Sequence, residues 1–439
     1  MKISIALIVL AIAVLAGCNK ETPDEPSRGT LSLRAEDASC TEAWLKASTA
    51  LVPATVALVR DNQRVKTYRL STRDSLLIDE NLLPNHLYSY QIQKLGVDSG
   101  MIEMSTSVQV MTMDTTSHNW LFDPMLSLGD GSSSVLYDVA IIRADPDSQL
   151  VYAVGEINVL DTNGQFRTPP YNVAKWDGKK WELSTVLFHG GYAPIRFIFA
   201  FHENDIWFGM GYLIHWDGRA FNDIDVPAFY GAGSSKMWGS VDGRLYVVGN
   251  DGIIAYSPNR GVTWQHLESG TRLTFRDIWG ATDPRTGKEE ILAIASTYTP
   301  DLQGSVVLGI SGNSVTSLST DGMSPDMHGV WFVPGRGYFA VGAGIHQKRR
   351  LSDSLWSVYP PGVVTRYYSA EVRGQDINDV FVVGSFGEVV HFNGRSWARY
   401  FSDIPLPVGA LGSVAIKGNL MIAVGQINAS KAIILIGRR

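Results

Sequence analysis

Val151-Tyr152-Ala153-Val154-Gly155 followed by Trp176-Asp177-Gly178-Lys179-Lys180-Trp181 is one copy of a pattern that recurs along the chain. Asp205-Ile206-Trp207-Phe208-Gly209 precedes Trp216-Asp217-Gly218-Arg219-Ala220-Phe221, and Val380-Phe381-Val382-Val383-Gly384 precedes Phe392-Asn393-Gly394-Arg395-Ser396-Trp397. Each unit is an apolar strand ending in glycine, then a third strand, then an Asp-Gly or Asn-Gly turn flanked by aromatics. These dipeptides tolerate positive φ, so the turns are expected to close two-residue hairpins. The strand-ending position falls at Gly155, Gly209, Gly249, Ala295, Gly342, Gly384 and Gly425, spaced 40 to 54 residues apart and 45 on average.

A period of ~40–45 residues is that of four-stranded propeller blades. Seven positions therefore predict seven blades, with inner strands at 137–142, 197–201, 237–241, 278–281, 330–333, 370–372 and 414–416. After Gly425 only one strand remains, at 432–436, so the last blade lacks its outermost strand. Trp120-Leu121-Phe122 resembles the fourth-strand start Trp181-Glu182-Leu183 and is expected to supply it, closing the ring and removing an edge. Ser257-Pro258-Asn259-Arg260-Gly261-Val262-Thr263-Trp264 resembles the Asp-box hairpin of sialidase-like and photosystem-assembly propellers, with Asn259 in place of Asp. The resemblance implies a structural hairpin away from any active site.

Upstream, residues 30–116 carry seven short β segments with turn residues between them and no sustained helical period. Asp61-Asn62 reads as a hairpin turn. Leu82-Leu83-Pro84-Asn85-His86-Leu87-Tyr88 resembles the fibronectin type III signature, which implies a sandwich with Tyr88 as its corner tyrosine. The expected fold is all-β: a fibronectin type III-like sandwich at 30–116, then a seven-bladed β-propeller at 119–439 closed by an N-terminal outer strand. The combination resembles secreted proteins of Bacteroidetes and Chlorobi type that join a fibronectin-like domain to such a ring.

The first residues give an address. Lys2 precedes an apolar run at 3–16, shorter than the ~20 residues of a spanning helix, which reads as a signal peptide at 1–17. Leu15-Ala16-Gly17-Cys18 resembles the bacterial lipobox, which implies acylation of Cys18 and cleavage before it. Two or more acyl chains hold a protein stably on a membrane. Residues 18–29, polar and proline-containing, read as a tether. The expected location is lipid-anchored, at the outer membrane or surface of a Gram-negative cell. The remaining cysteine, Cys40, has an acid and no cation nearby in sequence and reads as a structural residue.

Composition narrows the chemistry. Of 439 residues 18% are charged, with 43 Gly, 12 Trp, 17 Tyr and 16 Phe, and the net charge is −6. Nucleic acid is not expected as a partner. His215 and His391 occupy the same repeat position, which favours packing over metal ligation. Asp138, Asp205, Asp277 and Asp379 recur before apolar strand residues, which suggests turn or strand capping. The glycine-rich fragments at 231–236 and 342–344 lack the strand-to-helix context of a nucleotide loop, and no serine-hydrolase elbow is present. No cofactor, metal or catalytic residue is expected.

The expected function is a surface-tethered, non-catalytic binding or scaffold lipoprotein with a protein or glycan partner. The rivals are a glycoside hydrolase-like enzyme on the propeller face and an assembly factor. Long loops between second and third strands, placed at 156–172, 296–305 and 343–352, would gather Tyr171, Tyr298, Arg349 and Arg350 on one face for an anionic or glycan-like partner.

Overall fold

The computed structural model describes residues 31–229, 233–299, 302–400 and 408–439, so Cys18 and the tether lie outside the described residues. The chain divides into two compact units. One comprises the described residues through Ala38 with Glu42–Leu82 and His86–Thr112; the other is Met113–Arg439 with Ser39–Thr41 and Leu83–Asn85.

The smaller unit is two antiparallel sheets. Ser32–Ala38, Glu42–Ser48 and Asp74–Glu80 form one; the other is built on Gln63–Leu70, Ala54–Arg60 and Leu87–Leu95. Alternation decides which side chains face inward: Tyr88, Tyr90 and Ile92 are buried with Leu45, Val56 and Leu58. Asp61 and Asn62 both have positive φ, at 49° and 66°, as a two-residue hairpin between twisted strands requires. There are eight strands among the described residues rather than seven. Met101–Met104 and Val108–Met111 pair with different parts of Leu87–Leu95. Met101–Met104 escaped detection because three of its four side chains are exposed and it shows no alternation.

In the larger unit six four-stranded meanders begin with Val135–Arg143, Phe197–His202, Ser234–Gly239, Phe275–Thr282, Met327–Val333 and Ser369–Asp376. A seventh sheet holds Gly409–Lys417, Leu420–Ile427 and Lys431–Arg438. Its outer strand is Leu126–Leu128, with Leu121–Phe122 pairing farther along Lys431–Arg438. The closing strand thus runs beyond the expected 120–122. Trp120 itself lies just outside the ladder, buried edge-on to Phe381 at 5.0 Å between ring centroids. Each first strand packs against the next in chain order, and Gly409–Lys417 packs against Val135–Arg143. The order is cyclic. Apolar clusters fill the spaces between neighbouring sheets, for example Leu136 and Val151 with Ile422 and Ile434.

The Asp-Gly turns differ from expectation. Trp176 pairs directly with Trp181, leaving a four-residue loop in which Gly178 alone has positive φ, 93°. Asp177 Oδ1 accepts the backbone N–H of Lys179 and Lys180 at 2.8 and 2.9 Å. Asp217 does the same for Arg219 and Ala220, and Asn393 for Arg395 and Ser396. The carboxylate or amide, satisfying two N–H groups itself, makes the longer loop stable.

Candidate functional site: the channel mouth

The repeat glycines mark a feature of the inner strands. Leu136 pairs with Gly155 and Asp138 with Val154, leaving Tyr137 as the extra residue of a β-bulge. The same shift leaves Ser235, Arg276, His328, Ala370 and Gly412 unpaired in five other sheets. A Cβ at Gly155, Gly249, Gly342, Gly384 or Gly425 would overlap a carbonyl oxygen at the start of the bulged strand. That close approach explains the recurrence of glycine. Bulges re-aim side chains. Here each one turns its unpaired residue toward the mouth of the central channel and the next residue toward the channel waist.

The waist residues form one buried ion network. Lys236 Nζ donates to Asp138 Oδ1 at 2.7 Å and Glu371 Oε1 at 2.8 Å. Arg373 grips Asp277 with both Nη atoms at 2.8 Å and reaches Glu371 at 2.7 Å. Each carboxylate also clasps the next sheet: Asp138 accepts Ile198 N, Asp277 accepts Val330 N, and Glu371 accepts Val414 N. Ser413 donates to Asp138 as well. Burial opposes ionisation of Glu371, but Arg373 and Lys236 outweigh it and hold the carboxyl down at about 2. Burial prevails at Asp138 and raises its carboxyl above the usual range.

The network divides the channel. Above it a chamber of about 660 Å³ is walled by the bulge residues together with Arg196, Met210 and Asn250. Below it a smaller cavity of about 210 Å³ has apolar walls including Phe199, Met237, Trp238 and Trp279. The chamber opens on the face that carries the second-to-third-strand turns and the sheet-to-sheet connections, here called the upper face. Arg196 lies over the Tyr137 ring at 4.2 Å, and Arg276 Nε donates to Ser296 O at 3.2 Å. His328 Nδ1 donates to Ala370 O at 2.7 Å, and burial lowers its pKa, so the imidazole is neutral. Two aromatic pairs lie on the same face. Phe188 stacks on Tyr212 at 4.3 Å, Phe386 meets Tyr367 at 4.6 Å, and Tyr212 and Phe386 are 45% and 42% exposed.

The structure separates the four residues expected on one face. Tyr171 opens a third strand, Tyr171–Trp176, at the upper face and carries Arg167 over its ring at 4.2 Å. Tyr298 lies in Glu289–Thr299, where the expected loop 296–305 is the end of a long hairpin pairing Ser296 with Ser305. Its side chain is outside the described residues. Arg349 and Arg350 are on the other face. Residues 343–352 are not one loop: Gly337–Gly342 reverses at once into Gly344–Lys348, and the two arginines follow that third strand. Gly344, at φ 106°, permits the tight reversal. Two polar side chains hid the strand, because His346 is buried with Nε2 accepting Ser324 N, and Lys348 is buried beneath Trp356.

The recurring aspartates fall into two sets. Asp138 and Asp277 belong to the waist. Asp205 and Asp379 open second strands and bind His215 and His391, each at 2.8 Å. Arg260 and Arg439 complete these two clusters. Of the two glycine-rich fragments, 342–344 is the tight turn just described, and 231–236 leads into Ser234–Gly239; residues 231 and 232 lie outside the described residues. The Cys40 thiol, pushed up to about 11 by burial, donates to Asp114 O at 3.1 Å and stays protonated. Lys236, Glu371, Arg373, Arg196 and Arg276 escaped the sequence reading. Lys236 and Glu371 pair with the residue preceding Gly249 and Gly384, as Asp138 and Asp277 pair with the residue preceding Gly155 and Ala295.

No family model matches the chain, and no curated protein matches it. Among solved structures it is similar to YCF48 bound to D1 peptide, with a TM-score of 0.53 and 16% identity over 74% of this chain and 99% of that one. It is also similar to the WD40 β-propeller domain of Doa1, with a TM-score of 0.50 and 15% identity over 72% and 97%. The fold is a β-propeller. At these identities the likeness carries the architecture alone.

Proposed function

We propose that this chain is a non-catalytic protein-binding scaffold, a seven-bladed propeller joined to a fibronectin type III-like sandwich and lipid-anchored through Cys18 at the cell surface. The seven cyclically packed sheets support the blade count, and the two-sheet order of the smaller unit supports the sandwich. The lipobox residues support the anchor.

The observation that carries the binding reading is the upper face. It offers a chamber of about 660 Å³ with exposed aromatics beside it, an arrangement suited to a protein segment. One solved structure of similar fold is a propeller with a bound peptide. A glycosidase reading needs two carboxyl groups flanking a substrate bond. Asp138 and Glu371 are the pair nearest to that description, but Lys236 Nζ bonds to both and fills the gap between them.

Photo-crosslinking from single positions tests the reading. A photoreactive residue at Tyr212 or Phe386, on the upper face, is expected to yield protein adducts in the native membrane. The same residue at Val241 or Val262, exposed on the opposite face, is expected to yield none. Adducts confined to the opposite face would contradict the assignment. Carbohydrate adducts from the upper face would replace the protein partner with a glycan.

A further inference from the structure

The chamber has a charge pattern that says what it accepts. Its floor is self-satisfied: every carboxylate of the waist is bonded to a cation, and Lys236 and Arg373 are fully engaged with Asp138, Glu371 and Asp277. Its wall is different. Arg196 and Arg276 are both exposed at the mouth; Arg196 lies just before the second sheet and Arg276 is the bulge residue of the fourth. Among the described residues neither forms an ion pair. Arg196 is held by the Tyr137 ring, and Arg276 by the Ser296 carbonyl. Both contacts fix a guanidinium in place and leave its charge uncompensated. His328, neutral, adds no positive charge but places a ring beside Arg276 on the adjacent bulge.

Fixed guanidinium groups in a concave, partly desolvated site favour a carboxylate, because charge-assisted hydrogen bonds are stronger there than in water. The volume admits a few extended residues, and low-dielectric walls focus the field of the two cations into the mouth. We propose that the chamber binds a carboxylate-bearing segment of a protein partner between Arg196 and Arg276, with the aromatic pairs of the same face holding the flanking residues. This rests on the protein-binding reading and specifies its chemistry. The sequence had placed an anion site at Arg349 and Arg350; the cations that face the chamber are these two instead.

Calorimetry on the full-length chain tests it with a hexapeptide ending in three glutamates, its glutamine analogue amidated at the C-terminus so that it carries no carboxylate, and the glutamate peptide with an amidated C-terminus. The glutamate peptide is expected to bind, and the glutamine analogue to bind about tenfold more weakly or worse. Arg196→Gln and Arg276→Gln are each expected to weaken the glutamate peptide by about tenfold, with binding that falls as salt rises. The melting temperature of each variant should match wild type, which separates loss of the site from loss of fold. If amidation alone removes binding, the recognised group is the terminal carboxylate; if it does not, it is an acidic side chain. Equal binding of glutamate and glutamine peptides, or no binding of either, overturns the proposal. An array of peptides of mixed charge then distinguishes the two readings. Peptides retained equally by wild type and the double variant leave a scaffold without an anion site. Retention of none removes the scaffold reading too.

Discussion

The periphery and the centre of the ring are built on different rules. At the periphery the Asp177, Asp217 and Asn393 turns satisfy their own backbone within four residues, and each could be cut from its surroundings without leaving a charge unpaired. At the centre Arg373 meets a partner 96 residues away and Lys236 one 135 residues away. The periphery therefore specifies local geometry, while the centre ties distant sheets together. Removing one member of a buried ion pair leaves an uncompensated charge, whereas a surface turn loses only its own bonds.

The largest expected effect comes from breaking the centre. Arg373→Met strands Asp277 without a cation and leaves Glu371 with Lys236 alone, and is expected to cost about 3–5 kcal/mol in denaturant unfolding. A loss no greater than that of a surface substitution would mean the waist does not hold the sheets. Gly384→Ala comes next. The new Cβ would overlap Tyr368 O where the bulge of the sixth sheet begins, so a cost of about 1–3 kcal/mol is expected, as for overpacking. Ala295, at the same repeat position in the fourth sheet, is the control: Ala295→Gly should not stabilise by a comparable amount.

A third, smaller effect concerns the closing segment and pH. His391 Nε2 faces Asp379, so it carries the proton; its Nδ1 then accepts from His118 Nδ1 at 3.0 Å, and His118 Nε2 accepts from Ser396 Oγ. Arg439 also faces Asp379. Burial lowers the pKa of both histidines; the charge of His391 adds to the effect on His118, and at His391 burial and Arg439 outweigh the opposing pull of Asp379. A lowered folded-state pKa means the unfolded chain takes up protons first. Stability is thus full above about pH 6.5, the ordinary histidine value, and declines as pH falls below it. His346, depressed to about 4 by burial, acts in the same direction. The raised carboxyls of Asp138 and Glu388 act in the opposite direction, so the comparison must be with a variant. His391→Asn should flatten the decline between pH 7 and 5; an unchanged slope would remove the pair from the account. The smallest effect is at the periphery, where Asp217→Asn keeps an acceptor for both N–H groups and should leave the thermal midpoint in place.

Legibility in the sequence followed the same division. The strand-ending glycines and aromatic turns were readable because period and turn chemistry are local. The reading still shortened the turns, since it assigned positive φ to both residues when Asp177 instead bonds forward to two N–H groups. At the site, locality fails. A bulge adds one residue that no periodicity reveals, and it separates Tyr137 from Asp138 into chamber and waist. Lys236, Glu371 and Arg373 read as isolated charges because their partners lie in other sheets. Arg349 and Arg350 were misplaced when a strand with a buried histidine and lysine read as loop.

Hydrogen–deuterium exchange with and without the hexapeptide ending in three glutamates shows directly whether the bulged inner strands build the binding site. Added protection is expected in the stretches around Tyr137, Arg196, Arg276 and His328, with the turns at 240–244 and 257–264 unchanged. Protection confined to those turns on the opposite face, with none at the bulges, would contradict it.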